Sequence, residues 1–536
     1  MKPFGIGQRT IVHVLRERCA RTPSKTWVRW DTVDYSYAEL DTLSNRIANG
    51  LLAAGLRSGD TLLVMLGDGV EIIATWLACA KTGIIDVPVN TANRGDILAH
   101  IATDCGAKAA VIDAGFADRF EALGERLRAI GTYYVVDTAG KSEGVGALAG
   151  KAAKAFASLL HGSEFEAEPP AERNTMSIMY TSGTTGGSKG VMVTHAHAFE
   201  YGVSCGGTLE VGEQDNYYTA GLPLFHVAGR WGVVFASAIL GATAIVPRQF
   251  SVRNFWAEVE AHRVTAAFLL GVMANFLQRQ PEDARDADNP LRKVLMCPLL
   301  PDGESFARRF EVQVATAYGS TEVGAPIVMP LCTPFKHKEL VGKARSDKFE
   351  VIIADENDNR VAPGVLGEIL VRPREPWIAM QGYWNAPAKT AAMWRNLWLH
   401  SGDAGRYDED GNLYFVDRIQ DTIRRRGENI SSMEVEGIIG QHPAIAECAV
   451  FPVASEHTES EVMVAIVLKE GVEEDPVSII RFAEKRMAYF MVPRYIDFVS
   501  VLPKTPTGKV QKNVLRATGR SGSTWDREAA GVKVAR

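Results

Sequence analysis

The 536-residue chain has no Cys-x-x-Cys pair. Its seven cysteines (Cys19, Cys79, Cys105, Cys205, Cys297, Cys332, Cys448) stand far apart, which argues against a zinc ribbon or a disulfide framework and favours a reducing compartment. It has no basic excess either: 58 Lys plus Arg against 64 Asp plus Glu, a net charge of −6, give no global field for holding nucleic acid. Long apolar runs are missing too. The longest uncharged run, Trp231 to Pro247, carries Gly232, Ser237, Gly241 and Thr243 and is shorter than the ~20 apolar residues of a membrane span. It reads as a buried helix and strand. Ile11 to Leu15 is too brief for the apolar region of a signal peptide, so a cytoplasmic location is expected. No period of 20 to 50 residues recurs, which disfavours a solenoid.

What is present is an ordinary globular composition, 46% hydrophobic and 23% charged, long enough for several cores. Ser36-Tyr37-Ala38-Glu39 has the spacing of a capping box, and Leu40, Leu43, Ile47 and Leu51 continue one helical face to Gly55. Thr61 to Leu66 and Ile84 to Val89 read as buried strands around a helix over Val70 to Lys81. The alternation returns with a helix over Phe255 to His262, a strand over Thr265 to Leu270, and a strand over Val312 to Ala317 entering a glycine turn. The fold class is therefore α/β, in layers. Beyond Asp417 a charged stretch, Arg418 to Glu428, leads into a smaller α+β domain: helices over Ser431 to Gln441 and Val477 to Met487, strands over Cys448 to Val453 and Val462 to Leu468. Gly519 to Arg536 is rich in Gly, Ser and charge and is expected to be loosely held.

Four segments carry chemistry. Tyr180-Thr181-Ser182-Gly183-Thr184-Thr185-Gly186-Gly187-Ser188-Lys189-Gly190 lies between two strand-like runs; its glycines free backbone N–H groups, its hydroxyls add donors and Lys189 adds a charge. That combination suits a polyphosphate, although Ser188 and Gly190 around the lysine do not match the P-loop of ATPases. Ala317-Tyr318-Gly319-Ser320-Thr321-Glu322 offers an aromatic face for a base, a hydroxyl for phosphate and a carboxylate for Mg²⁺. Ser401-Gly402-Asp403 and Phe415-Val416-Asp417-Arg418 place acidic groups and an arginine where ribose and phosphate could be received. Pro503-Lys504-Thr505-Pro506-Thr507-Gly508-Lys509-Val510 shapes a loop around two lysines.

In this order and spacing the four segments resemble the adenylate-forming superfamily of acyl-CoA synthetases, peptide-synthetase adenylation domains and luciferases, from about Thr10 to Arg516. Phe415-Val416-Asp417-Arg418 and Arg426-Gly427-Glu428-Asn429-Ile430-Ser431 look most similar to the crotonobetaine and carnitine-CoA ligase type. The resemblance implies a large N-terminal AMP-binding domain of layered α/β subdomains, residues 1–418, and a small mobile α+β C-terminal domain, 419–536, carrying the catalytic lysine. It implies ATP, Mg²⁺ and coenzyme A as co-reactants of a carboxylic acid. Thr181 to Lys189 (Thr181, Ser182, Gly183, Thr184, Thr185, Gly186, Lys189) would cradle the β and γ phosphates, and Tyr318, with Gly319 and Ser320, would face adenine. Thr321 would touch the α-phosphate, Glu322 would hold Mg²⁺, and Asp403 and Arg418 would hold the ribose and its phosphate. Lys509 would bring the α-phosphate and carboxylate together, His226 would stand beside the acyl carboxylate, Gly427 would admit the pantetheine arm, and Gln420 would occupy the hinge.

Three departures from that pattern stand out: Ser188 where proline is usual, Gln420 where Asp or Lys is usual, and Met296-Cys297-Pro298-Leu299 in place of a glycine-rich turn. Loading of a carrier protein in trans, or nucleotide binding without catalysis, are the competing readings. A homodimer is left open. Phe225, Trp231, Gly271 to Phe276, Cys297 to Leu300 and Gly324 are the candidate acyl-pocket walls, and their apolar character favours a medium, aromatic or alicyclic acid.

Overall fold

A computed structural model describes residues 4–137, 146–166, 168–181, 188–300, 302–334, 339–421, 423–425, 428–455, 460–505 and 508–534. The chain forms two compact units: residues 1–351 with 371–399, and residues 352–370 with 400–536. No helix among the described residues is long and apolar enough to cross a membrane.

In the first unit the capping box forms as read: Ser36 Oγ accepts the Glu39 N–H, Glu39 returns the bond, and the helix runs Tyr37–Ala53. One nine-stranded sheet of described residues runs Gly382–Tyr383, Lys189–Thr194, Thr175–Thr181, Ile85–Pro88, Thr61–Met65, Ala109–Asp113, Thr132–Val136, Lys151–Ala155, Ala147–Leu148. Its central strands are parallel and buried on both faces, so they read as continuous apolar runs rather than alternations. The strands Thr175–Thr181 and Lys189–Thr194 are antiparallel, with Lys189 opposite Thr181, so the Gly/Thr/Ser segment joins two strands of one ladder. A second sheet includes the parallel strands Thr243–Val246, Asn216–Tyr218, Ala266–Leu270, Lys293–Cys297 and Gln313–Ser320, and then turns antiparallel at Gly324–Met329. The uncharged run expected to be helix then strand is a π-helix Ala228–Phe235, a helix Ala236–Leu240 and the strand Thr243–Val246.

The strand Leu399–Tyr407, in the second unit from His400 on, forms an antiparallel hairpin with Leu413–Arg418, with Asp403 opposite Arg418. A four-stranded sheet, Ile445–Ala454, Ser460–Leu468, Tyr495–Phe498 and Trp525–Asp526, carries the helices Ser432–Ile439 and Pro476–Ala483 over a core of Ile439, Val450, Val464, Ile466, Ile479 and Ile480. The expectation of a loose tail fails here. Trp525–Asp526 adds the sheet's fourth strand, the Asp526 carboxylate takes Arg494 at 3.2 Å, Ser521 Oγ donates to Asp497 at 3.0 Å, and Val532 and Val534 pack on the core. Composition hid this because three apolar anchors suffice to dock a polar strap whose remaining residues face water.

Candidate active site

The first unit carries the residues expected to meet phosphate. Thr181 ends one strand and Lys189 begins the next, the two paired across the ladder. The expected ligands Ser182, Gly183, Thr184, Thr185 and Gly186, and likewise Gly427, lie outside the described residues. Ser188, where proline is usual, has its carbonyl held by the His100 ring: a carbonyl can only accept, so His100 Nε2 donates, at 2.8 Å. Lys189 Nζ lies 4.5 Å from the centre of the Tyr383 ring and 3.4 Å from its hydroxyl, and that hydroxyl donates to Glu322 Oε1 at 3.0 Å. Tyr383 escaped the sequence reading. Its short strand carries no periodicity, and its partners stand 194 and 61 residues away in the chain.

Tyr318, Gly319 and Ser320 end the strand Gln313–Ser320, and the register slips between Tyr318 and Ser320. Gly319 is obligatory there: a Cβ would stand 1.9 Å from the Gly324 carbonyl oxygen. Thr321 and Glu322 follow in the turn, where Ser320 Oγ accepts the Glu322 N–H at 3.2 Å and the Glu322 carbonyl accepts the Met380 N–H at 2.8 Å. Among the described residues no group of three His, Cys, Asp or Glu side chains could hold a metal unaided. A single hydrogen-bonded carboxylate, Glu322, instead fits an ion that shares its coordination with phosphate oxygens, as Mg²⁺ does.

His226 sits half-buried ahead of the π-helix. Its Nδ1 faces the Ala228 N–H at 3.3 Å, which assigns that nitrogen as acceptor and the proton to Nε2. Two residues earlier, both backbone groups of Leu224 are held: its N–H donates to Asp68 at 2.7 Å and its carbonyl accepts from Arg230 Nε at 2.6 Å. Arg230 in turn pairs with Asp86, and both are inaccessible. Loss of solvent pushes the Asp68 carboxyl up to about 7 against the pull of Leu224 and Arg230. Sequence reading missed this set because its members come from three separate elements. Of the candidate pocket walls, Trp231, Leu299 and Leu300 are buried, whereas Val272 and Phe276 are exposed.

The second unit brings together Asp403, Arg418 and Lys509. The Arg418 guanidinium meets the Asp403 carboxylate at 3.0 Å across the hairpin. Lys509 is held in a closed turn, where its carbonyl accepts the Thr505 N–H at 2.7 Å and its N–H donates to Thr505 Oγ1 at 3.0 Å. Partial loss of solvent and the neighbouring Arg418 push its ammonium below the usual lysine range, while Asp403 pulls it back. Asp417 has a structural role, since its carboxylate accepts from Ser432 N and Oγ at 2.7 and 2.6 Å at the start of the helix Ser432–Ile439. Gln420 lies in the exposed turn after Arg418, and the next residue, Asp421, pairs with Arg516.

Residues 15–384 match the family model of the AMP-binding enzyme, and residues 434–509 that of the AMP-binding enzyme C-terminal domain. The chain belongs to this family of adenylate-forming enzymes. A crotonobetaine/carnitine–CoA ligase of Escherichia coli O17:K52:H18 (strain UMN026 / ExPEC) is 31% identical over 490 residues, covering 90% of this chain and 93% of the relative. Among solved structures, the anthranilate CoA ligase AuaEII in complex with anthranoyl-AMP superposes with a TM-score of 0.84 at 22% identity, over 96% of this chain and 98% of that one. O-succinylbenzoate coenzyme A synthetase (MenE) from Bacillus subtilis, in complex with ATP and magnesium ion, does so with a TM-score of 0.80 at 26% identity, over 93% and 98%.

Proposed function

We propose that this AMP-forming acid–thiol ligase activates a medium-sized, apolar or aromatic carboxylic acid and passes it to coenzyme A. In the first half-reaction a carboxylate oxygen attacks the α-phosphorus of ATP and pyrophosphate leaves. In the second, a thiol sulfur attacks the acyl carbon and AMP leaves. Two anions meet in the first step, so positive charge must be delivered to both. Lys509 is assigned that role, and the observation that supports the assignment is the turn that holds it, its carbonyl and N–H both bonded to Thr505, in the same unit as the Asp403–Arg418 pair. Asp403 and Arg418 would hold ribose and phosphate, Tyr318 would stack on adenine, Thr181 to Lys189 would cradle the β and γ phosphates, and Thr321 would meet the α-phosphate. Glu322 would hold Mg²⁺, which when bound supplies charge neutralisation of the phosphates. His226 would present its Nε2 proton beside the acyl carboxylate, and the backbone clamp on Leu224 supports a fixed ring position.

We place the domain boundary at 418 and 419, with Gln420 in the hinge and Gly427 beside the pantetheine arm. The second half-reaction needs Lys509 withdrawn and a path for the thiol, which a rotation at 418–421 would supply. The apolar walls Phe225, Trp231, Leu299 and Leu300 support an apolar or aromatic acyl group over a small polar one. ATP–pyrophosphate exchange over a panel of aromatic, alicyclic, short polar and betaine acids tests this. Highest kcat/KM for the betaines would overturn the acyl assignment, and absence of exchange with every acid would overturn the ligase reading.

A further inference from the structure

Tyr383 joins the two charged groups of the phosphate side. Its ring lies under the Lys189 ammonium at 4.5 Å, and its hydroxyl is placed to accept from Lys189 at 3.4 Å while donating to Glu322 at 3.0 Å. A phenol is suited to this because one oxygen both donates and accepts, so it bridges a cation and an anion without either neutralising the other by direct pairing. The ring face adds a further attraction for the ammonium.

The tyrosine is itself held firmly. It is 3% exposed, its N–H donates to Thr390 Oγ1 at 2.8 Å, and it pairs in register with Val191 on the strand that begins at Lys189. Gly382 before it has φ +144° and would bring a Cβ to 2.7 Å from Thr390, so the backbone at this point admits only glycine. On the other side the Met380 N–H donates to the Glu322 carbonyl at 2.8 Å, and the Trp384 N–H to the Gly190 carbonyl at 2.7 Å. The segment 380–384 thus ties the residue after Lys189 and the backbone of Glu322 to one rigid piece, with the Tyr383 side chain between their charged ends.

We propose that Tyr383 is a positioning residue for the adenylation half-reaction, setting Lys189 and Glu322 at a fixed separation that suits a metal-bound triphosphate. This rests on the ligase reading above. It follows that Tyr383 matters only while β and γ phosphates are present, and not for AMP or for the thioester step, which has no pyrophosphate to hold.

The test compares wild type with Tyr383→Phe, which keeps the ring under Lys189 and removes the hydroxyl, and with Tyr383→Leu, which removes both. Calorimetry with α,β-methylene-ATP, with and without Mg²⁺, and with AMP gives a binding readout independent of turnover. Tyr383→Phe is expected to weaken Mg²⁺-dependent α,β-methylene-ATP binding by ~10-fold, the scale of one hydrogen bond to a charged group, and to leave AMP affinity within about twofold. ATP–pyrophosphate exchange falls in parallel, thioester formation from preformed acyl adenylate holds, and Tyr383→Leu falls further than Tyr383→Phe in exchange. Equal loss for AMP and the ATP analogue, equal loss in both half-reactions, or no loss in Tyr383→Phe overturns the proposal. An inactive wild type with the expected binding pattern would instead overturn the ligase reading alone.

Discussion

Around Leu224 in the first unit, Arg230 and Asp86 are 2% and 0% exposed and pair with each other, while Arg230 also holds the Leu224 carbonyl. In the second unit, Arg418 faces the buried Asp403 with half of its own side chain in solvent. The first arrangement is a buried pair whose worth lies in holding a conformation, because desolvation offsets most of its Coulomb attraction. The second keeps its arginine near water, where that charge can be shared with a ligand at small cost, although Asp403 is buried. One pair is built to stay as it is, and the other leaves its cation within reach of a ligand; the second unit has a locked pair of its own in Arg425–Glu461, each 3% exposed.

Breaking the buried pair should have the largest effect. Arg230→Met leaves Asp86 uncompensated and is expected to lower unfolding free energy by about 3–5 kcal/mol, with Arg230→Met/Asp86→Leu recovering most of it. Denaturant unfolding of the two variants checks this, and equal loss in both would show that packing, not charge, holds the segment. Lys509→Ala should do the reverse: adenylation falls by ~10²-fold or more while thermal unfolding and thioester formation from preformed acyl adenylate stay as in wild type. Equal damage to both half-reactions would argue against a lysine used in one of them only.

Asp417→Ala asks whether the hairpin that ends at Arg418 is anchored as firmly as Leu224 is. Loss of its bonds to Ser432 should cost about 1–2 kcal/mol, the range for a helix cap, seen as a drop in melting temperature. The smallest effect is pH-dependent. Asp68 sits at about 7 in the folded protein, above its unfolded value, so the native state binds the extra proton between those values and stability declines as pH rises toward and through 7. Asp68→Asn removes that decline and should raise the melting temperature by about 2–4 °C at pH 8 with little change at pH 5. A gain independent of pH would place the titration elsewhere.

Much of this was legible in the residues. The capping box at Ser36 and Glu39, the strands on either side of the Gly/Thr/Ser segment, and the tyrosine–glycine turn before Glu322 are local patterns whose causes lie within a few residues. Tyr383, His100 and the Asp68–Arg230–Asp86 set were not, since each acts through partners brought near only by sheet order. The tail was misread for a related reason: Trp525, Val532 and Val534 are too sparse to form a period, yet each finds the core of the second unit.

The order of residues along the chain was thus enough to set many of the elements and to suggest the residue types proposed for the chemistry: glycines and hydroxyls, a carboxylate, a lysine in a shaped loop. Hydrophobic period and turn preference are local, so they survive without coordinates. Which charges are locked and which remain exchangeable follows from the folded arrangement alone, because burial and long-range pairing set the cost of moving a charge, and neither is a property of any short stretch of chain.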